Sequence, residues 1–208
     1  MSSASRHWDA VYTSRQDTEL SWTQTDPTVS LNLIEEACPR SNPSRRVIDI
    51  GGGTSSLPGR LLEDGYSVTV LDISKVAVER ARHQLGEKGN QVRWIIADVT
   101  KSPVLGTFDL WHDRAVFHFL MRPSERIAYR NLLLQRVPVG GHIVIATFAL
   151  GGPENCSGLE ICQYDNERLA SKLSTGFRLF KTVPELHITP SGQSQAFQYC
   201  LFRRTNEP

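Results

Sequence analysis

The chain has 208 residues, a mass of 23.3 kDa and a formal net charge of +1. Hydrophobic residues make up 39% and charged residues 22%, an ordinary globular composition for one domain. Near-neutral charge excludes the basic footprint of a nucleic-acid binder, and no apolar run approaches the ~20 residues of a membrane-spanning helix. The opening residues lack the apolar stretch of a secretory leader. Four cysteines, Cys38, Cys156, Cys162 and Cys200, have neither the spacing of a zinc site nor the density of a disulfide framework. Reduced thiols, a cytoplasmic location, a monomer and no bound metal are the expectations.

In chain order, the first 44 residues are polar with isolated aromatics, Trp8, Tyr12 and Trp22. Asp26-Pro27 starts a helix, with Leu31, Leu33, Ile34 and Ala37 at helical spacing through Cys38. A proline-rich break follows, then the β-branched run Arg46–Ile50, which ends in three glycines. Leu57–Glu63 reads as a helix and Tyr66–Leu71 as a second strand, ending at Asp72. Ser74 caps a helix from Val76 to about Leu85. Val92–Ile96 is a third strand, ending at Ala97-Asp98, and Phe108–His112 a fourth. Ser124–Arg136 is helical, His142–Phe148 a fifth strand, and Glu167–Leu173 a helix. Phe177–Lys181 and Ala196–Phe202 complete the strands.

Strands alternating with helices predict a parallel sheet covered on both faces. The last two strands, close in sequence, predict an antiparallel hairpin at one edge. The expectation is a three-layer α/β sandwich with a mostly parallel seven-stranded sheet. It divides into a helical lid (1–44), a ligand-binding core (45–148), and a loop with the terminal hairpin (149–208), all in a single domain.

In such a sheet, ligands bind at the carboxyl ends of the strands near the topological switch point. Gly51, Gly52 and Gly53 let the backbone turn tightly and approach a ligand. Asp49 braces that loop or hydrogen-bonds a ligand amino group. Asp72, about twenty residues on, suits a carboxylate gripping both hydroxyls of a ribose. Asp98 ends the third strand, within reach of an adenine amino group, and Asp113 follows the fourth. A nicotinamide dinucleotide fits less well, because Ser56 stands where its fingerprint places the last glycine.

Val47-Ile48-Asp49-Ile50-Gly51-Gly52-Gly53 resembles the first motif of class I S-adenosylmethionine-dependent methyltransferases. Leu71-Asp72-Ile73-Ser74 is similar to the family's ribose-binding motif and Ala97-Asp98-Val99 to its adenine-contacting motif. Phe108-Asp109-Leu110-Trp111 and Val137-Pro138-Val139-Gly140-Gly141 match its fourth strand and following turn, with Val139 where the family usually has proline. The resemblance covers roughly residues 45–148. It implies a Rossmann-like fold and S-adenosyl-L-methionine as cofactor. The cofactor set it implies is Asp49, Gly51, Gly52, Gly53, Asp72, Ile73, Asp98, Val99 and Asp113.

The acceptor side is expected from three segments. Trp8, Tyr12 and Trp22 would cap the sulfonium and substrate, partly through cation–π attraction. His112, Arg114 and His118, around the fourth strand, are the catalytic candidates: a histidine as base and Arg114 to orient an anionic group. The glycine-rich loop after the fifth strand, with Cys156 and then Tyr164, reads as a substrate lid. The outline resembles small-molecule thiol and thiopurine methyltransferases, implying a small acceptor such as a thiol. Trp8-Asp9-Ala10-Val11-Tyr12 also resembles the N-termini of compact protein-lysine methyltransferases, which is the alternative.

Overall fold

The structure, a computed structural model, describes residues 2–206. Helices α1 (Ser3–Ser14) and α2 (Thr28–Ala37) precede the sheet. Then β1 (Arg46–Ile50), α3 (Leu57–Glu63), β2 (Ser67–Asp72), α4 (Lys75–Leu85) and β3 (Arg93–Ile96) follow. Next come β4 (Leu110–Arg114), α5 (Pro123–Arg136) and β5 (His142–Phe148). A short hairpin, β6 (Asn155–Cys156) and β7 (Leu159–Glu160), leads to α6 (Asn166–Leu173) and the long pair β8 (Phe177–Ile188) and β9 (Ser194–Arg204).

The seven-stranded sheet has the order β3-β2-β1-β4-β5-β9-β8. Strands β1 to β5 run parallel, and β9 is antiparallel to both β5 and β8. This is the expected mostly parallel sandwich with an antiparallel edge. Alternation along each strand divides the core into two layers. Ile48, Ile50, Ile143, Ile145, Cys200 and Phe202 pack beneath α5 and α6. Val47, Val144, Ala146, Tyr199 and Leu201 pack beneath α2 and α3. The chain order reverses between β1 and β4, so the crevice opens at their carboxyl ends.

Several strand bounds shift: β9 gains two residues at each end, and β4 and β8 change as follows. β4 begins at Leu110 rather than Phe108, because Phe108 belongs to the core and Asp109 accepts the Arg46 amide at 2.8 Å. His112, Asp113 and Arg114 therefore lie inside the strand. β8 continues through Pro184 to Ile188, which its place at the sheet edge permits. The β6–β7 hairpin, unforeseen, turns on Ser157 and Gly158, both at positive φ (50° and 77°), the geometry a two-residue hairpin turn requires. Among the described residues, no helix is long and apolar enough to cross a membrane.

The N-terminal segment is fastened over the strand ends. Asp9 Oδ1 accepts from Ser74 Oγ at 2.7 Å and from the Val76 amide at 3.2 Å, a carboxylate set against the start of α4. Asp17 Oδ1 accepts from Thr54 Oγ1 at 2.8 Å and from Arg80 Nη1 at 3.0 Å. Leu20 and Tyr12 bury against Ala77.

Candidate active site

The glycine loop follows from the end of β1. Gly51 and Gly53 have φ of +64° and +49°, and added Cβ atoms would strike Val116 and the Tyr12 hydroxyl respectively. Both positive φ and lack of space therefore demand glycine. The Gly51 amide donates to Leu71 O at 2.7 Å. Asp72, at the end of β2, accepts from the Gly53 amide through Oδ2 at 2.9 Å and from the Ser74 amide through Oδ1 at 2.8 Å. Its burial pushes the carboxyl up to about 6, against the pull of those amides. A carboxylate offers about four lone-pair sites, so Asp72 retains capacity for hydroxyl donors from the crevice it lines.

The crevice runs from this carboxylate to an aromatic end. Ile73, Asp98, Val99 and Thr100 line it beside Asp72, and Asp98 Oδ1 accepts from the Thr100 amide at 2.9 Å. Trp8, Tyr12 and Trp22 roof it, the two tryptophans edge to face at 5.8 Å. Arg114, Phe119, Phe148, Cys156 and Phe197 wall the far end. Burial pushes the Cys156 thiol up to about 11 and, followed by the charge of Asp72, raises the Tyr12 phenol well above its usual range; both stay protonated at neutral pH.

A second, polar pocket lies beside the loop, lined by Ser30, Asp49, Gly51, Gly52, Ser55, His112 and Arg114 among others. Asp49 and His112 are register partners on β1 and β4. His112 Nδ1 lies 2.7 Å from Asp49 Oδ1, and Nε2 lies 2.9 Å from Ser30 Oγ. With one nitrogen donating to the carboxylate, the other accepts from the hydroxyl. A Cβ on Gly52 would sit 2.8 Å from Asp49 Oδ2; the loop thus rests on the aspartate.

Four expected site residues are placed elsewhere. His112 is 2% exposed with both ring nitrogens bonded, and it does not line the aromatic crevice; it braces β1, β4 and α2. His118 is fully buried, its Nδ1 facing the Phe148 amide at 3.4 Å. Burial and then the Arg114 charge lower it to about 3, which leaves it neutral and shut off from any acceptor. Asp113 is also fully buried: it accepts from the Val116 and Phe117 amides at 2.9 and 3.2 Å and from Tyr129 Oη at 2.5 Å. Its carboxylate shapes the turn after β4 rather than facing a ligand. Tyr164 packs in the core beside Phe117, 5.6 Å between centroids.

Sequence reasoning missed Ser30, Phe148, Glu185, Phe197 and Tyr199. Glu185 gave no signal, since the strand that carries it reads as ending at Lys181 and continues to Ile188 only in the structure. Among the described residues, no group of three or more His, Cys, Asp or Glu is arranged to hold a metal.

This sheet order, with a glycine loop and an acidic second-strand end at the switch point, defines a class I methyltransferase architecture. Residues 47–135 match the family model of the methyltransferase domain, in keeping with the resemblance to class I S-adenosylmethionine-dependent methyltransferases. Solved structures share the fold. One, determined in work on the conversion of a disulfide bond into a thioacetal group during echinomycin biosynthesis, is 18% identical, with a TM-score of 0.78 over 97% of this chain and 92% of that one. Magnesium protoporphyrin IX methyltransferase from Synechocystis, solved with bound S-adenosylhomocysteine (SAH), is 20% identical, with a TM-score of 0.68 over 98% and 95%. The N-methyltransferase NodS from Bradyrhizobium japonicum is 16% identical, with a TM-score of 0.66 over 86% and 94%.

Proposed function

We propose that the protein transfers a methyl group from S-adenosyl-L-methionine to a small-molecule acceptor, a thiol or another soft nucleophile, by in-line displacement. Bound, the cofactor supplies an electrophilic methyl group on a sulfonium. The observation that carries the reading is Asp72: a buried carboxylate, fixed by two backbone amides, with acceptor capacity left at the mouth of a glycine loop. On this reading Asp72 holds the ribose hydroxyls and Asp98 faces the adenine. Gly51–Gly53, braced by Asp49, take the methionine portion beside the polar pocket. Ile73 and Val99 supply apolar walls, and Trp8, Tyr12 and Trp22 exclude water. Proximity and orientation in such a site supply about 7–11 kcal/mol of the barrier reduction.

The same fold in a protein-lysine methyltransferase is the alternative. The position of Arg114 favours the small acceptor, since this cation, the single one among the described residues lining the crevice, repels a lysine ammonium. The free cysteines support a cytoplasmic location. Calorimetric titration with SAH tests the cofactor. Release of SAH across thiols, selenium and arsenic oxyanions, amines and carboxylic acids tests the acceptor. Tritiated cofactor in cell lysate separates the two readings: a small labelled product supports the first and a labelled protein band the second. Absence of SAH binding removes both.

A further inference from the structure

Arg114 is the only cation among the described residues lining the aromatic crevice, and no histidine or lysine joins it. Its side chain is nine-tenths buried, at 10% exposure. Nε donates to Tyr199 Oη and Nη1 to Trp22 O, each at 2.9 Å. The guanidinium lies over Phe197, Cζ 4.3 Å from the ring centroid. Nη2, though buried, makes no hydrogen bond. Its nearest acid, Glu185 Oε2, stands 3.6 Å away and takes its hydrogen bond from Tyr199 Oη at 3.1 Å, while Oε1 accepts from Gln24 at 2.9 Å. Nη2 thus stands in ion-pair range of Glu185 with no hydrogen bond of its own, on a residue that walls the crevice.

Among the described residues lining the crevice there is no imidazole or amine to take a proton from an acceptor. Asp72 and Asp98 hold backbone amides at the cofactor end, and Glu125 Oε2 accepts from the Arg122 amide at 3.0 Å. Tyr12 and Cys156 are themselves protonated.

We infer that the acceptor is an apolar organic anion, its charged nucleophilic atom held on Arg114 Nη2 between aromatic walls. This rests on the methyltransferase reading of the site. The anion's lone pair forms the bond to the methyl carbon as the carbon–sulfur bond breaks and its electron pair returns to sulfur. One anion and one sulfonium become two uncharged groups, and no proton moves. The apolar walls strip water from the anion and leave a fixed guanidinium in its place.

The test uses three molecules of one shape: para-tert-butylbenzoate, the corresponding benzamide and the corresponding benzylammonium. Their binding to the cofactor-free protein is followed by ligand-observed NMR. The benzoate is expected to bind the wild-type protein on the order of tenfold more tightly than the amide, with the ammonium weakest. Arg114→Gln abolishes that preference. Glu185→Gln, which removes the competing negative charge, raises it. An amide or ammonium that binds the wild-type protein as tightly as the benzoate, or no binding of any of the three, overturns the inference. If Arg114→Gln does not fold by near-UV circular dichroism, Glu185→Gln decides: an unchanged or lowered preference overturns it. SAH titrated into the same wild-type sample separates the two claims. Failure of SAH to bind removes the methyltransferase reading and leaves the anion site to its own result. SAH binding without anion preference removes this inference alone.

Discussion

Replacing Asp72 by asparagine separates cofactor recognition from folding. The carboxyl is pushed by burial to about 6, from a usual 3.8, so holding it charged at neutral pH costs folding roughly 3 kcal/mol. Asparagine removes that cost but turns a donor toward one of the two amides, from Gly53 or Ser74, which then loses about 1–3 kcal/mol. The two terms nearly cancel, and the variant is expected to fold with wild-type-like stability. Binding does not cancel. Charge-assisted hydrogen bonds from ribose hydroxyls contribute about 1.5–3 kcal/mol each, so losing about 2 kcal/mol weakens affinity roughly thirtyfold. The wild-type protein carries a second signature. Its free carboxyl takes up a proton as pH falls through about 6, and the proton must leave for the hydroxyls to be accepted. SAH affinity therefore drops about tenfold between pH 7 and 5, whereas the asparagine variant stays flat. Calorimetry at several pH values reads both effects. A wild-type affinity independent of pH over this range, with the variant within twofold of it, refutes the ribose assignment.

Three further outcomes are expected. His118→Phe changes the pH dependence of stability: unfolded His118 takes up a proton below 6.5 and folded His118 only near 3. The wild-type protein therefore loses about 1.4 kcal/mol per pH unit across that window as pH falls; urea unfolding of the two proteins should converge by this amount, and parallel curves would count against a buried neutral imidazole. His112→Ala strands the Asp49 carboxylate inside the sheet and costs about 3–5 kcal/mol of stability; a loss under about 1 kcal/mol, the ordinary net value of one hydrogen bond, would contradict the bracing role. Gly53→Ala adds the roughly 1–2 kcal/mol strain of a left-handed residue to a collision with Tyr12, whereas Gly158→Ala meets nothing within 4 Å. Thermal melts should show the first substitution as the costlier, and equal costs would mean that Tyr12 does not rest on the loop.

Sequence and structure agree closely at Arg46–Ile50, Leu57–Glu63 and His142–Phe148, which have the same bounds in both. The two strands among them are β-branched runs beside glycine, buried from both sides, so composition alone marks them. The reading slipped where buried polar groups satisfy one another across the chain. Asp113 and Arg114 look like the start of a loop, yet they complete β4, with partners, Tyr129 and Tyr199, that come from other elements. Pro184 and neighbouring charges hid the second half of β8, whose exposed edge tolerates both. Asp72, Asp98 and Asp113 look alike as acidic strand ends. Only packing separates them: the first two line the crevice, and Tyr129 on α5 claims the third. Arg114 was visible as a charge beside the fourth strand, but its unbonded Nη2 depends on Tyr199, Glu185 and Trp22, far away in sequence.

The division of charge along the crevice orders the two reactants. Asp72 and Asp98 stand at one end and Arg114 at the other, with the glycine loop between them. A sulfonium nucleoside is drawn by its cation and its hydroxyl donors toward the carboxylates. An anionic partner is repelled there and attracted to the guanidinium. In a cavity walled by tryptophan and phenylalanine these preferences are screened far less than in water. Glu185 limits the effect by offsetting part of the guanidinium charge. It also holds Gln24 while Arg114 holds the Trp22 carbonyl. The ion pair that tunes the acceptor end therefore fastens the aromatic roof too, and a substitution at either residue will alter acceptor preference and roof position together.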